Sequence, residues 1–268
     1  FLEASSMRKF GDTYYFIYSS LNSHELCYAT SDNPVSGFQY GGILVSNGDI
    51  GLLGVTDVKN ARNYTGNTHG SLIEINGKYY IFYHRHSNRK QSSRQACAEQ
   101  IRFENGKFYQ AELTSCGLND GPLRGKGNYP AYIACNLCGK KGTRFLSMVK
   151  HPKSGYPFFT QKGGDRESGE DQYIANMCDG AVAGFKYFDL SQTGAVRINI
   201  KGKAEGTVLV RTSEKGETVA EIPVKPCREI HGFSAKLSGL GEKEALFFSF
   251  QGKGAFDFFS FDLKEDRQ

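Results

Sequence analysis

The sequence predicts an all-β chain: two blades of a β-propeller followed by a β-sandwich. A tyrosine-rich hairpin that occurs twice, a Gly-rich break near residue 120 and a closing series of short, evenly spaced strands carry that prediction. In the first hairpin, Phe1–Phe10 and Thr13–Ser20 flank a Gly11-Asp12 turn. In the second, Ser71–Ile75 and Lys78–Tyr83 flank Asn76-Gly77, a strong two-residue turn signal. Ser6, Tyr14, Tyr15 and Tyr18 recur as Ser71, Tyr79, Tyr80 and Tyr83, at a constant offset of 65. A strand-built repeat of that length reads as propeller blades.

Each copy continues alike. The first is followed by Glu25–Thr30 and Phe38–Val45, the second by Arg94–Ile101 and Lys107–Leu113, which gives about four strands per blade. Two blades leave an unpaired edge and do not close a ring. The chain also starts within a strand and without Met, so the expectation is that it forms the C-terminal part of a larger propeller whose other blades come from the same gene or another chain. The connection Ser46–Thr68 is long and polar, and reads equally as a border of a site or as surface padding.

Gly117–Gly127, with Pro122, reads as a linker, and Tyr129–Cys135 as a strand. Gly163–Asp171 is a charged, polar loop. Strands then follow at Ala183–Phe188, Gly194–Ile200, Thr207–Thr212, Thr218–Val224, Phe233–Leu237, Ala245–Phe250 and Phe256–Leu263, a spacing typical of a sandwich. The domain expectation is blades over 1–118, a linker over 119–130 and a sandwich over 131–268.

Composition narrows function. Apolar residues at 39% and aromatics at 13% suffice for real cores. With 15 Tyr, 20 Phe and no Trp, any aromatic stacking platform is Tyr or Phe. The net charge of +5 is mild and scattered, and the basic runs Lys140-Lys141 and Arg85–Lys90 read as solvated loops, not as a nucleic-acid surface. No run of about 18 apolar residues suggests a membrane span. The seven cysteines are odd in number and sit mostly in strand-like runs, which fits free thiols and leans towards a cytoplasmic, reducing compartment. Cys135 and Cys138 form a lone C-x-x-C pair without the further ligands of a zinc site.

Glu3 stands at the head of the first strand among Ala4, Ser5 and Ser6. Small neighbours leave room for a substrate beside a carboxylate, although a solvated terminal charge has the same composition. His84 and His86, two apart on a strand, face the same side and suit either a loop rim or a metal pair.

Phe1-Leu2-Glu3-Ala4-Ser5-Ser6-Met7-Arg8-Lys9 followed by Tyr14–Ser20, with Asn67-Thr68-His69-Gly70-Ser71 opening the next blade, resembles glycoside hydrolase family 43 from Phe1 to about Ser115. The resemblance implies the last two blades of a five-bladed propeller that hydrolyses arabinosides and xylosides with inversion. It implies Glu3 as general acid, His69 near the propeller axis where calcium or another cation is held directly or through water, and Arg94 reaching the substrate pocket; next to such a pocket His84 and the substrate-binding candidate His86 suit hydrogen bonds to sugar hydroxyls. It provides no position here for the catalytic base. Inversion needs that base roughly 6.5–9.5 Å from the acid with water between, and the acid needs a raised pKa.

The second region, from about Ala131 to Leu263, resembles carbohydrate-binding module family 6, a jelly roll. Asp179-Gly180, Ala183–Phe188, Gly194–Ile198 and Phe256–Phe261 carry the likeness. It implies Tyr187 and Phe258 as sugar-platform candidates, with Phe258 where a Trp is usual. Ala134 and Cys135 replace acidic calcium ligands, which favours a structural module packed on the propeller. The function expected is removal of terminal α-L-arabinofuranosyl or β-D-xylosyl units from plant glycans. The alternative is a non-catalytic carbohydrate-binding protein with a degenerate propeller.

Overall fold

The computed structural model describes residues 3–22, 24–66, 68–143, 155–163 and 171–266, with the side chains of residues 3, 4, 90 and 91 excepted. Phe1, Leu2, Asn67 and most of the Gly163–Asp171 loop lie outside the described residues. The first blade is an antiparallel meander of β1 (Glu3–Phe10), β2 (Thr13–Ser19), β3 (Glu25–Ser31) and β4 (Gln39–Ser46). The second sheet holds β5 (Gly70–Ile75), β6 (Lys78–Ser87) and β7 (Lys90–Ile101). Both hairpins pair in the register that the repeat requires, Phe10 opposite Thr13 and Ile75 opposite Lys78. Asn76 and Gly77 take φ of 53° and 77°, as a tight hairpin turn demands. The repeated serines meet across the sheets: Ser6 Oγ donates to Ser71 Oγ at 3.2 Å, and Arg8 reaches Ser71 Oγ and the Leu72 carbonyl.

The second blade departs from the expected four strands. Residues 107–113 do not extend its sheet. β8 (Phe103–Glu104) and β9 (Lys107–Phe108) pair only with each other, and the chain then crosses to β4, where the Ala111 N–H donates to the Leu44 carbonyl at 2.8 Å. Aromatic packing draws it there. Phe103 and Phe108 insert among Phe10, Tyr15, Tyr28 and Tyr79, several of them edge-on. The Tyr28 hydroxyl accepts from the Phe108 N–H at 3.1 Å.

The sandwich begins earlier than expected. β10 (Leu123–Arg124) and β11 (Gly127–Pro130) fall in the expected linker, yet β10 pairs with β15 (Val182–Asp189) and β11 with β21 (Ala255–Glu265). Tyr129–Cys135 is not one strand: Ala131–Ile133 forms a 3₁₀ turn before β12 (Asn136–Cys138). The other strands are β13 (Phe158–Gln161), β14 (Gln172–Cys178), β16 (Thr193–Gly202), β17 (Glu205–Arg211), β18 (Thr218–Val224), β19 (Cys227–Lys236) and β20 (Glu244–Lys253). One sheet runs β10-β15-β20-β17-β18 with β12 beside β15, and the other β13-β14-β21-β16-β19 with β11 beside β21. Between them Phe185, Phe188, Phe248, Phe250, Phe258 and Phe261 are all buried.

No helix among the described residues is long and apolar enough to cross a membrane. All seven cysteines are free thiols. Burial pushes Cys135 and Cys138 each up to about 12, which leaves them poor metal ligands and nucleophiles.

Blades and sandwich meet at a buried ionic cluster. Lys186 Nζ lies 3.2 Å from Asp49 Oδ2 and 2.7 Å from Glu112 Oε1. Asn136 Nδ2 and the Leu113 N–H complete the donors to Asp49, at 3.3 and 2.7 Å. Burial opposes the charge on Lys186, but Cys135, Asp49 and Glu112 outweigh it and hold the ammonium above its usual pKa. Removing the cation leaves Asp49 buried without its counter-charge, with the half-buried Glu112 carboxylate nearby. Lys186→Met is therefore expected to lower stability by about 3–5 kcal/mol in denaturant unfolding. A loss below about 1 kcal/mol, the range of an exposed ion pair, would show that water reaches the cluster.

Candidate functional site

The sequence-predicted site residues of the blades gather at one end of the two sheets. Glu3 heads β1, its backbone opposite Ser19 at the end of β2. Ser19 is buried and donates its hydroxyl to the Thr68 carbonyl, one residue before His69. Thr68 Oγ1 donates to the His84 carbonyl at 3.1 Å, and the rings of His69 and His84 lie 5.2 Å apart, tilted by 59°. On β6 and β7, His86 is paired with Arg94. His84 and His86 share a face, as the two-residue spacing predicts. His86 is buried and Arg94 is exposed.

The polar connection before the second blade closes over this end. A Cβ on Gly66 would stand 2.6 Å from His86 Cε1, so only glycine lets the loop lie on that ring. The same connection carries Asp49 into the junction. It is thus a structural bridge with one end at the candidate site and not surface padding.

Among the described residues no group of three or more His, Cys, Asp or Glu side chains is placed to hold a metal. The described surroundings of His69 offer a second imidazole, whereas calcium takes about six to eight oxygen ligands.

One correction concerns the sandwich. Phe258 is not a sugar platform: it is buried in the core, edge-on to both Phe185 and Phe248. Its place on β21 points it inward by strand alternation. Tyr187 is half-buried and donates its hydroxyl to Glu112 at 2.8 Å, with Lys243 Nζ 4.8 Å from its ring centre. It stands at the junction and lines a cavity there with Glu112, Thr114 and Lys243. The basic run Arg85–Lys90 is also not a solvated loop throughout. Arg85 is buried, stacked 3.7 Å above Phe159, and donates to Gln95 Oε1 at 2.9 Å and to the carbonyls of Tyr132 and Ala134.

Sequence reasoning missed Glu99. It lines a cavity of about 170 Å³ between blade and sandwich, with Tyr83, Arg85, Gln95, Thr114 and Tyr132. Its carboxyl accepts from the Thr114 N–H at 2.7 Å, the Thr114 hydroxyl at 2.5 Å and the Tyr83 hydroxyl at 3.2 Å. Burial outweighs these bonds and pushes Glu99 up to about 8.

Comparison with known proteins bears out the family resemblance. No protein-family model matches the chain. A xylosidase/arabinosidase of Thermoclostridium stercorarium is 47% identical over 270 residues, covering 99% of this chain and 56% of the relative. The chain thus spans little more than half of that relative's length. A glycoside hydrolase family 43 arabinoxylan arabinofuranohydrolase from Bacillus subtilis, solved with cellotetraose, matches 98% of this chain and 54% of its own at a TM-score of 0.52 and 17% identity, which establishes a shared fold. A family 6 carbohydrate-binding module from Clostridium stercorarium, solved with cellobiose, aligns with 55% of this chain at a TM-score of 0.42 and 14% identity, too loose a likeness to transfer its binding. The chain thus shares the propeller-plus-sandwich fold of that family 43 arabinofuranohydrolase. It is a homologue of xylosidase/arabinosidases, aligned along nearly its whole length.

The proton on Glu99 gives a pH signature. Its folded pKa of about 8 lies above the ordinary value near 4.5. The folded state therefore keeps a proton that the unfolded chain releases. This contribution to stability is complete below about pH 4.5 and is lost as pH rises through about 8. Glu99→Gln keeps the shape and removes the titration. Its Tm is expected to fall less steeply than wild type across about pH 5–8, read by calorimetry at several pH values. Parallel curves would show that Glu99 is already ionised at the low end.

Proposed function

We propose that the protein carrying this chain is a glycoside hydrolase that removes terminal α-L-arabinofuranosyl or β-D-xylosyl units from xylan-type glycans with inversion. The 47% identity to a xylosidase/arabinosidase, maintained over 99% of this chain, carries the reading. The gathering of Glu3, His69, His86 and Arg94 at one end of adjacent blades supports it.

In this reading Glu3 is the general acid that protonates the leaving oxygen. His86 and Arg94 bind sugar hydroxyls on the wall beside it. The base that activates water comes from further blades. Apolar side chains on the outer sheet faces suit such blades: Met7 and Tyr40 on the first blade, and Ile73, Ile75 and Phe82 on the second, are all exposed. A face of that kind is covered in a closed propeller.

The test is Glu3→Gln in the protein that carries this chain, assayed on aryl and oligosaccharide arabinosides and xylosides. Loss of a general acid is expected to lower kcat/KM on oligosaccharides by about 10²–10⁴-fold. Substrates whose leaving group needs no proton should lose far less. The first-formed sugar, followed by NMR, should have the opposite anomeric configuration to the substrate. Equal turnover by variant and wild type on all substrates would remove Glu3 from the acid role.

A further inference from the structure

The β6–β7 ladder places two functions on successive rungs. Side chains on neighbouring rungs point to opposite faces. The His86–Arg94 rung faces the candidate site, where Gly66 lies against the His86 ring. The adjacent Arg85–Gln95 rung faces the sandwich and is gripped by it. Arg85 donates to the Tyr132 carbonyl at 2.6 Å and to the Ala134 carbonyl, both beside the 3₁₀ turn, and its guanidinium stacks on Phe159 of β13. Gln95 Nε2 donates to the Tyr132 carbonyl at 3.2 Å and to Gln172 Oε1 of β14 at 3.1 Å.

The other flank of the His86 rung is held as well. The Asn88 N–H donates to the Phe159 carbonyl at 2.8 Å, and Thr160 Oγ1 donates to Asn88 Oδ1. Asn88 Nδ2 donates to Ser93 Oγ at 2.9 Å, and the guanidinium of Arg89 lies 4.5 Å over the Phe158 ring. The ladder register shifts between His86 and Ser87, so the rung sits next to an irregularity in the sheet. Such a rung needs outside support to keep one geometry.

We infer that the sandwich is a positioning element for the substrate wall, with Arg85 and Asn88 as positioning residues that hold the His86–Arg94 rung without touching the sugar. The inference rests on the reading of His86 and Arg94 as substrate-binding residues. A planar guanidinium satisfies two carbonyls and a stacking face at once, which a lysine does not.

Two variants of the whole protein test it. Arg85→Lys keeps the charge and loses the fork. Asn88→Gly removes the amide but tolerates the left-handed backbone at φ 53°, so the turn still forms. Both are expected to speed amide hydrogen exchange over residues 84–95. Both should raise KM for arabinosyl or xylosyl oligosaccharides about 10-fold while kcat changes less than about 2-fold, the mark of lost binding in ground and transition states alike. Faster exchange with unchanged KM, or equal losses in kcat and kcat/KM, overturns the inference. A wild type that turns over neither substrate class sinks the hydrolase reading separately. The oligosaccharide Kd then decides between the outcomes: weakening of about 10-fold in both variants supports the clamp, and an unchanged Kd overturns it.

Discussion

A single ammonium, that of Lys186, joins the two halves of this molecule. It projects from the middle of an apolar sandwich strand, and its counter-charges, Asp49 and Glu112, belong to the blade side. Separating the halves would leave each with charges it does not neutralise or would require rehydrating all of them. Tyr187, Asn136 and the Leu113 N–H extend the same network, so the contact is specific in direction and not merely adhesive. This cluster helps to fix blade against sandwich, and Arg85 and Asn88 make a second attachment closer to the candidate site.

That placement bears on chemistry because propeller strands end where a ligand would bind. Here the start of β1, the start of β5 and the β6–β7 turn lie at the same end. One edge of that end carries Glu3, and the other is backed by the sandwich. Through the sandwich, residues far along the chain, such as Tyr132 and Phe159, hold Arg85, the neighbour of His86 in the candidate site.

Local signals in the chain announced the local structure. The two hairpins were readable because Gly-Asp and Asn-Gly turns and repeated tyrosines fix register without help from elsewhere. The evenly spaced sandwich strands were readable for a similar reason. Residues 103–111 were not, because their path to β4 is set by a distant aromatic cluster and not by their own pattern. β10 and β11 looked like linker because glycine and proline there serve short edge pairings. Phe258 was misplaced because a family position does not say which face a strand presents. Among the site residues, Glu3, His69, His86 and Arg94 could be collected from motifs. Asp49, Glu99 and Arg85 could not, since their burial depends on partners far along the chain. Lys186 carried one usable hint: a lysine inside an otherwise apolar strand is seldom buried without a partner.

The position of β21 has a consequence for how the chain matures. It is a late segment in sequence, yet in its sheet it lies between β14 and β16 and also takes up β11. Until residues 255–265 have left the ribosome, β14 and β16 have no common neighbour, and three rows of backbone donors and acceptors wait unpaired. Lys186 and Arg85 would spend that interval without their settled surroundings. Assembly of that sheet is thus deferred until synthesis has passed Glu265. A nascent chain paused before that point would hold preformed hairpins and an open, sticky sheet.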